Sequence, residues 1–187
     1  MNINEWLKTF EYSQDWLDYG VLSESHLLAQ VADYQKSGHS CFEHYRYGAF
    51  NKWIRETPKA TNQDIQNYIK LALTDPDQIM GHSAIVDLLK VDWLSDNQFE
   101  MVSETLRSLG DWAEQEIEKN SLRRMVIKPN ITSSETDKLL NCTYCQIQIK
   151  LFNRSDLSIG SLQHLAENGS SKKIRHLAKE RLKKNAT

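Results

Sequence analysis

Residues 78–89, Gln78-Ile-Met-Gly-His-Ser-Ala-Ile-Val-Asp-Leu-Leu89, follow a helical pattern that nearly recurs at 42–53 and 173–182. Each segment has a central alanine with an apolar residue four positions before it and a large apolar residue four positions after it. The alanines are Ala49, Ala84 and Ala178. Because packed helices approach closely only where a small residue lies at their crossing, this pattern predicts an all-α fold of antiparallel helical hairpins.

Length and composition agree with this prediction. The chain has 187 residues with 3 prolines and 7 glycines, which disfavours a turn-rich sheet protein. We expect a single domain over residues 1–187, with nine or ten helices and no sheet. The mixture of proline, asparagine, serine and threonine near 128–135 predicts a longer loop there.

Several helix starts are predicted from the sequence. Thr61 with Asp64, and Ser95 with Gln98, have the spacing of capping boxes. Asp75-Pro76 predicts another start, with the aspartate as N-cap and the proline in the first helical position. Apolar spacing predicts one helix over 136–152, which would enclose Cys142 and Cys145.

Charge is distributed unevenly along the chain. Residues 1–118 hold 20 Asp and Glu against 9 Lys and Arg, whereas residues 119–187 hold 5 against 14. The formal net charge of -2 conceals this asymmetry. In an elongated stack the two halves would present an acidic end and a basic end.

The sequence predicts a cytoplasmic protein. No apolar run approaches the roughly 18 residues that a membrane helix needs, and we expect no association with a membrane. The N-terminal residues lack a basic start followed by an apolar core, so no export signal is expected. The three cysteines, Cys41, Cys142 and Cys145, are expected to be reduced.

Candidate catalytic or metal-binding residues are few. His39, Cys41 and His44 could ligate a metal together with Cys142 and Cys145, and Cys41 could act as a nucleophile beside a histidine. Core packing of the cysteines is favoured over both, and whether the cysteines and nearby histidines bind metal stays open. The chain has no glycine-rich phosphate loop and no His-Glu-x-x-His motif. We therefore expect no enzyme activity, no cofactor and no metal.

Two junctions resemble HEAT repeats. Segments 73–89 and 165–182 each place a short polar turn before a helix with a central alanine, as in the second helix of a HEAT hairpin. The resemblance implies a short HEAT-like α-solenoid; the alternative is an irregular helical bundle. Small cytosolic proteins of this build with an acidic face resemble bacterial immunity proteins, which neutralise a cognate toxin.

The predicted function is stoichiometric binding of another, basic protein without catalysis, most simply a toxin such as a nuclease. The residues predicted to contact this partner are Glu43, Tyr47, Asn51, His82, Asp87, Trp112, Glu114 and Glu118. An alternative is nucleic-acid binding through the basic C-terminal helix, which starts near Lys172. A generic adaptor is a further alternative. The partner, the oligomeric state and the concave face are not fixed by the sequence.

Overall fold

The structure is a computed structural model that describes residues 2–38 and 40–185. Within these ranges all regular secondary structure is helical, which confirms the all-α fold class. The described residues form twelve helices, more than predicted, and the stacked solenoid arrangement stays a prediction. The helices are α1 (Ile3–Thr9), α2 (Asp15–Asp18), α3 (Glu24–Ser37), α4 (Phe42–Glu56), α5 (Asn62–Leu73), α6 (Gln78–Leu88), α7 (Asp96–Leu109), α8 (Ala113–Val126), α9 (Ser133–Asn141), α10 (Cys145–Phe152), α11 (Ile159–Asn168) and α12 (Lys172–Asn185).

The chain divides into two compact units, Met1–Glu114 and Gln115–Thr187. The first unit has 18 Asp and Glu against 9 Lys and Arg, and the second has 7 against 14. Their formal charges are therefore -9 and +7. None of the described helices is both long enough and apolar enough to cross a bilayer.

Side-chain caps set where most of the helices begin. The two predicted capping boxes are present: Thr61 with Asp64 opens α5, and Ser95 with Gln98 opens α7. The predicted start at Asp75-Pro76 is wrong, because Asp77 is the N-cap of α6 and accepts a hydrogen bond from the Met80 backbone N–H. Local spacing thus fixes two of these three starts.

Asp75 is displaced from that capping role by a buried partner. Both carboxylate oxygens of Asp75 accept hydrogen bonds from Arg46 of α4, at 2.9 and 3.1 Å. A further guanidinium nitrogen of Arg46 donates to the Phe10 carbonyl and to the Glu11 carboxylate. Arg46 is only 1% exposed, so these partners supply the polar contacts that its burial demands. The backbone of Glu11 itself has a left-handed conformation, with φ of 61°.

The crossing of α5 and α6 depends on a glycine. A Cβ atom placed on Gly81 would lie 2.1 Å from the Ala72 carbonyl oxygen, which no real contact allows. Ala84, the residue predicted to lie at the crossing, is fully buried, and its carbonyl accepts a hydrogen bond from the Tyr68 hydroxyl at 3.1 Å. The tightest approach is therefore one helical turn before the predicted alanine.

The second unit has its own core from α8 to α12. Leu139, Leu151, Leu165, Ile174 and Ala178 are completely buried there. The predicted single helix over 136–152 is wrong, because the chain is extended at Cys142 and restarts as α10.

A buried glutamine stabilises this break between α9 and α10. The Gln148 amide nitrogen donates to the carbonyls of Leu140 and Cys142 at 2.7 and 3.0 Å. Its amide oxygen accepts from the Ser170 backbone N–H. These bonds satisfy carbonyl groups that a continuous helix would have paired internally.

Candidate functional site

The described part of the first unit contains a surface patch, which we call the α6 patch and define as the exposed Ile79 and Trp112 with the half-buried His82. The His82 and Trp112 rings stack at 5.7 Å with 22° between their planes. Ile79 precedes His82 by three residues on α6, so their side chains are neighbours on the helix surface. Ile79 is 82% exposed and Trp112 is 46% exposed.

Two of the three patch residues were predicted from the sequence, and Ile79 was missed. The buried stripe of α6 includes Met80, Ala84, Ile85 and Leu88. Ile79 lies outside this stripe, in phase with the exposed Ser83. An isoleucine out of phase with the buried positions is the signal that could have identified it.

Trp112 is the exposed member of the tryptophan set. The other four tryptophans are buried or half-buried, and they are Trp6, Trp16, Trp53 and Trp93. Trp112 lies in the turn between α7 and α8, where its ring comes close to Gly110. With φ of 137°, Gly110 has a backbone conformation that other residues rarely adopt, and it gives the chain the tight entry to this turn.

A charged network joins the ends of α7 and α8 next to Trp112. Arg107 donates to the carboxylates of Glu100, at 2.8 Å, and Glu114, at 2.9 Å. The hydrogen bond to Glu100 and, to a smaller extent, the one to Glu114 raise the pKa of the exposed Arg107. Glu114, one of the predicted contact residues, is therefore held beside the turn that carries Trp112.

Three further predicted residues form a separate group on α4 and α6. The Tyr47 hydroxyl donates to Asp87 at 2.5 Å, and Asp87 also pairs with Lys90. The Asn51 amide donates to the Tyr47 carbonyl, one turn before it in α4. Burial, followed by the hydrogen bond to Asp87, raises the pKa of Tyr47. These polar side chains tie α4 to α6 at a half-buried position.

The remaining predicted residues lie elsewhere. Glu43 is in the first turn of α4, beside Cys41 and His44. Glu118 belongs to the second unit, where it accepts a hydrogen bond from Tyr144 at 3.3 Å. His39, the other histidine of the predicted metal cluster, lies outside the described residues.

The cysteines of the second unit contribute to packing. Cys142 ends α9 at the wall of a surface cleft of about 450 Å³ that Leu122 and Met125 also line. Burial raises the pKa of the Cys142 thiol, so the thiol is neutral near pH 7 and a poor nucleophile. Cys145 contacts the Ser171 hydroxyl at 3.2 Å. Both side chains are half-buried, as core packing predicts.

The basic C-terminal helix uses part of its charge internally. Arg175 donates to the Gly169 carbonyl, and Arg181 donates to the Phe152 carbonyl and lies over the Phe152 ring. The exposed cations of α12 are Lys172, Lys173, Lys179, Lys183 and Lys184. Among the basic residues of α12, these lysines could contact a phosphate without breaking the hydrogen bonds that Arg175 and Arg181 donate.

Comparison of the chain with known protein families, with curated proteins and with solved structures finds no match.

Proposed function

We propose that this protein binds another protein stoichiometrically and without catalysis, as a cytoplasmic inhibitor of the immunity type that neutralises a basic toxin. The α6 patch is the observation that carries the proposal, because it places exposed apolar side chains on a unit with a formal charge of -9. A nuclease would suit this charge, since an enzyme that holds a polyanion has a basic active surface.

The patch has the composition of an interface centre. Tryptophan is among the residues that contribute most to protein–protein affinity, and it does so when binding removes its ring from water. Ile79 adds apolar area beside it that is 82% exposed in the free protein. Burying these two side chains is the expected source of most of the affinity.

The patch is also preorganised. The His82 ring stacks on Trp112, and the salt bridges of Arg107 to Glu100 and Glu114 hold the turn that carries Trp112. A side chain that is already positioned loses less conformational entropy when a partner binds. The α6 patch therefore favours a specific complex over transient adhesion.

Charge selects a basic partner. The acidic excess of the first unit raises the rate of encounter with a positive surface, and it repels nucleic acid and acidic proteins. Glu100 and Glu114 share one arginine, so one negative charge of that network is left unbalanced. A basic partner would neutralise it at the edge of the α6 patch.

The test begins with recovery of the partner from the native host by a tagged full-length chain, followed by calorimetry with the purified partner. Trp112→Ala should weaken binding by about 30-fold or more, the effect of a hot-spot residue. Ile79→Ser should weaken it by about tenfold. Ile159→Ser is the matched control, because Ile159 is also an exposed isoleucine, 61% exposed, but belongs to the second unit. This variant should bind the partner with the same affinity as the original chain.

Two results would contradict this proposal. One is unchanged affinity in both α6-patch variants, with helical content confirmed by circular dichroism. The other is affinity that rises with salt, since screening must weaken an attraction between an acidic unit and a basic partner.

The exposed lysines of α12 favour a second candidate function, which is nucleic-acid binding by the second unit. The unit has a formal charge of +7, and Lys172 and Lys179 are among its exposed cations. The double variant Lys172→Glu, Lys179→Glu should reduce both the affinity for duplex DNA and the dependence of that affinity on salt. Equal binding by the variant and the original chain would exclude this function for α12.

A further inference from the structure

Three side chains with different metal-binding atoms meet at the start of α4. Cys41 directly precedes the helix, and Glu43 and His44 are in its first turn. The thiol sulfur, a carboxylate oxygen and an imidazole nitrogen all lie within 4.8 Å of one another. The Glu43 oxygen and the His44 Nε2 nitrogen are 3.9 Å apart.

The backbone beneath these side chains is well anchored. The His44 N–H donates to the Cys41 carbonyl at 3.1 Å, which closes the turn that joins them. Phe42 lies between the three in sequence and packs its ring edge-on against Phe10 at 5.7 Å. Tyr45, next along the helix, is buried and donates to Asp33 of α3. The three candidate ligands therefore extend from a fixed platform.

The side chains themselves can still adjust. Cys41 is the N-cap residue of α4, but its side chain makes no capping hydrogen bond, so the sulfur has no such bond to give up. The His44 side chain is largely exposed. Tetrahedral zinc, with bonds of about 2.0 to 2.3 Å, holds its ligand atoms roughly 3.5 Å apart. The three atoms thus need to approach by roughly 1 Å, which rotation of the side chains supplies.

From this arrangement we propose that Cys41, Glu43 and His44 form a zinc-binding site. A thiolate and an imidazole select zinc over calcium and magnesium, which take oxygen ligands. Binding releases the thiol proton of Cys41 to solvent, and the thiolate and the Glu43 carboxylate together balance the charge of Zn²⁺. Three protein ligands leave one coordination position for water or for a group from another molecule.

The partial positive charge of the helix N-terminus opposes binding of the metal ion. Two anionic ligands outweigh the partial charge of about half a unit, so the net field at the site is negative. This site is separate in composition from the α6 patch, and it does not depend on the proposed inhibitor function.

Cobalt provides a direct test. The full-length protein is freed of metal with a chelator and titrated with Co²⁺, and we expect one equivalent to produce a near-ultraviolet charge-transfer band from a thiolate–cobalt bond. Zinc should displace the band. Cys41→Ser should abolish the band and weaken cobalt binding by at least about 100-fold, and His44→Ala should weaken it strongly. Cys145→Ser is the matched control and should leave the titration unchanged.

The assignment is overturned if the original chain gives no thiolate–cobalt band, or if the band survives in Cys41→Ser. Alkylation provides a second measurement that needs no variant. Zinc should slow the alkylation of Cys41 in the original chain, with Cys145 as the internal reference, and equal alkylation of Cys41 with and without zinc would also overturn the assignment.

Discussion

Replacing Gly81 by alanine tests whether the approach of α5 and α6 controls the stability of the first unit. The new methyl carbon would lie 2.1 Å from the Ala72 carbonyl oxygen, whereas a close carbon–oxygen contact is about 3.3 Å. The two helices must therefore separate by roughly 1 Å. Rotation of a side chain cannot relieve the clash, because the obstructing atom is a backbone carbonyl oxygen.

The expected cost follows from what this separation disturbs. Overpacking of a closely packed contact costs about 1 to 3 kcal/mol. Stretching the buried hydrogen bond from Tyr68 to the Ala84 carbonyl adds about 1 kcal/mol. The higher helix propensity of alanine offsets about 1 kcal/mol of this loss in stability. We expect Gly81→Ala to lower the free energy of unfolding by about 1 to 3 kcal/mol.

The chain contains a matched control for this variant. Gly48 is also inside a helix, α4, but a Cβ placed there meets no heavy atom within 4 Å. Gly48→Ala should therefore raise the free energy of unfolding by about 0.5 to 1 kcal/mol, through helix propensity alone.

Urea unfolding followed by tryptophan fluorescence is the suitable assay. All five tryptophans lie between residues 6 and 112, so the fluorescence reports on the first unit. If Gly81→Ala is as stable as the original chain, or if both alanine variants shift the midpoint in the same direction, the inferred role of Gly81 is refuted.

Three further predictions concern ionisable groups. Arg46→Ala should cost about 3 to 5 kcal/mol in the same urea assay because it leaves Asp75 buried without its partner, and the double variant with Asp75→Leu should cost less. Lys128 and the Thr132 backbone N–H lower the pKa of Glu135 to about 2, a value that carboxyl NMR can check and that Lys128→Ala should raise. Because this pKa is lowered on folding, the contribution of Glu135 to folding stability is present above pH 4.5 and disappears as the pH falls toward 2. Glu135→Gln should therefore lower the melting temperature at pH 7 but not at pH 2. Burial raises the pKa of Tyr12, so the contribution of Tyr12 to the free energy of unfolding is complete below pH 10 and is lost as the pH rises above it. Tyr12→Phe should therefore reduce the loss of stability between pH 9 and pH 12.

The sequence predicted those parts of the fold that depend on neighbours in the chain. The capping boxes at Thr61 and Ser95 need only residues three positions apart, and both are present. Asp75 was misassigned because the group that holds it, Arg46, is 29 residues away. The break at Cys142 was missed because it depends on the Gln148 side chain, which donates to the carbonyls of Leu140 and Cys142. The Gln148 amide oxygen in turn accepts from the Ser170 backbone N–H, 22 residues further along the chain.

The candidate site was predictable to a similar degree. His82 and Trp112 were both predicted as contact residues, and the structure stacks their rings. Glu43 was chosen with them, yet it lies with Cys41 and His44. Helical phase shows which residues face outward, but it does not show which outward residues of different helices meet.

The left-handed backbone at Glu11 limits the substitutions that evolution can accept at this position. Glycine adopts such a conformation freely, but it has no carboxylate to offer Arg46. Residues branched at the β-carbon would meet a higher conformational penalty and would also lose the ion pair. The residue at position 11 should therefore vary little among relatives, and where it varies, the residue at position 46 should vary with it.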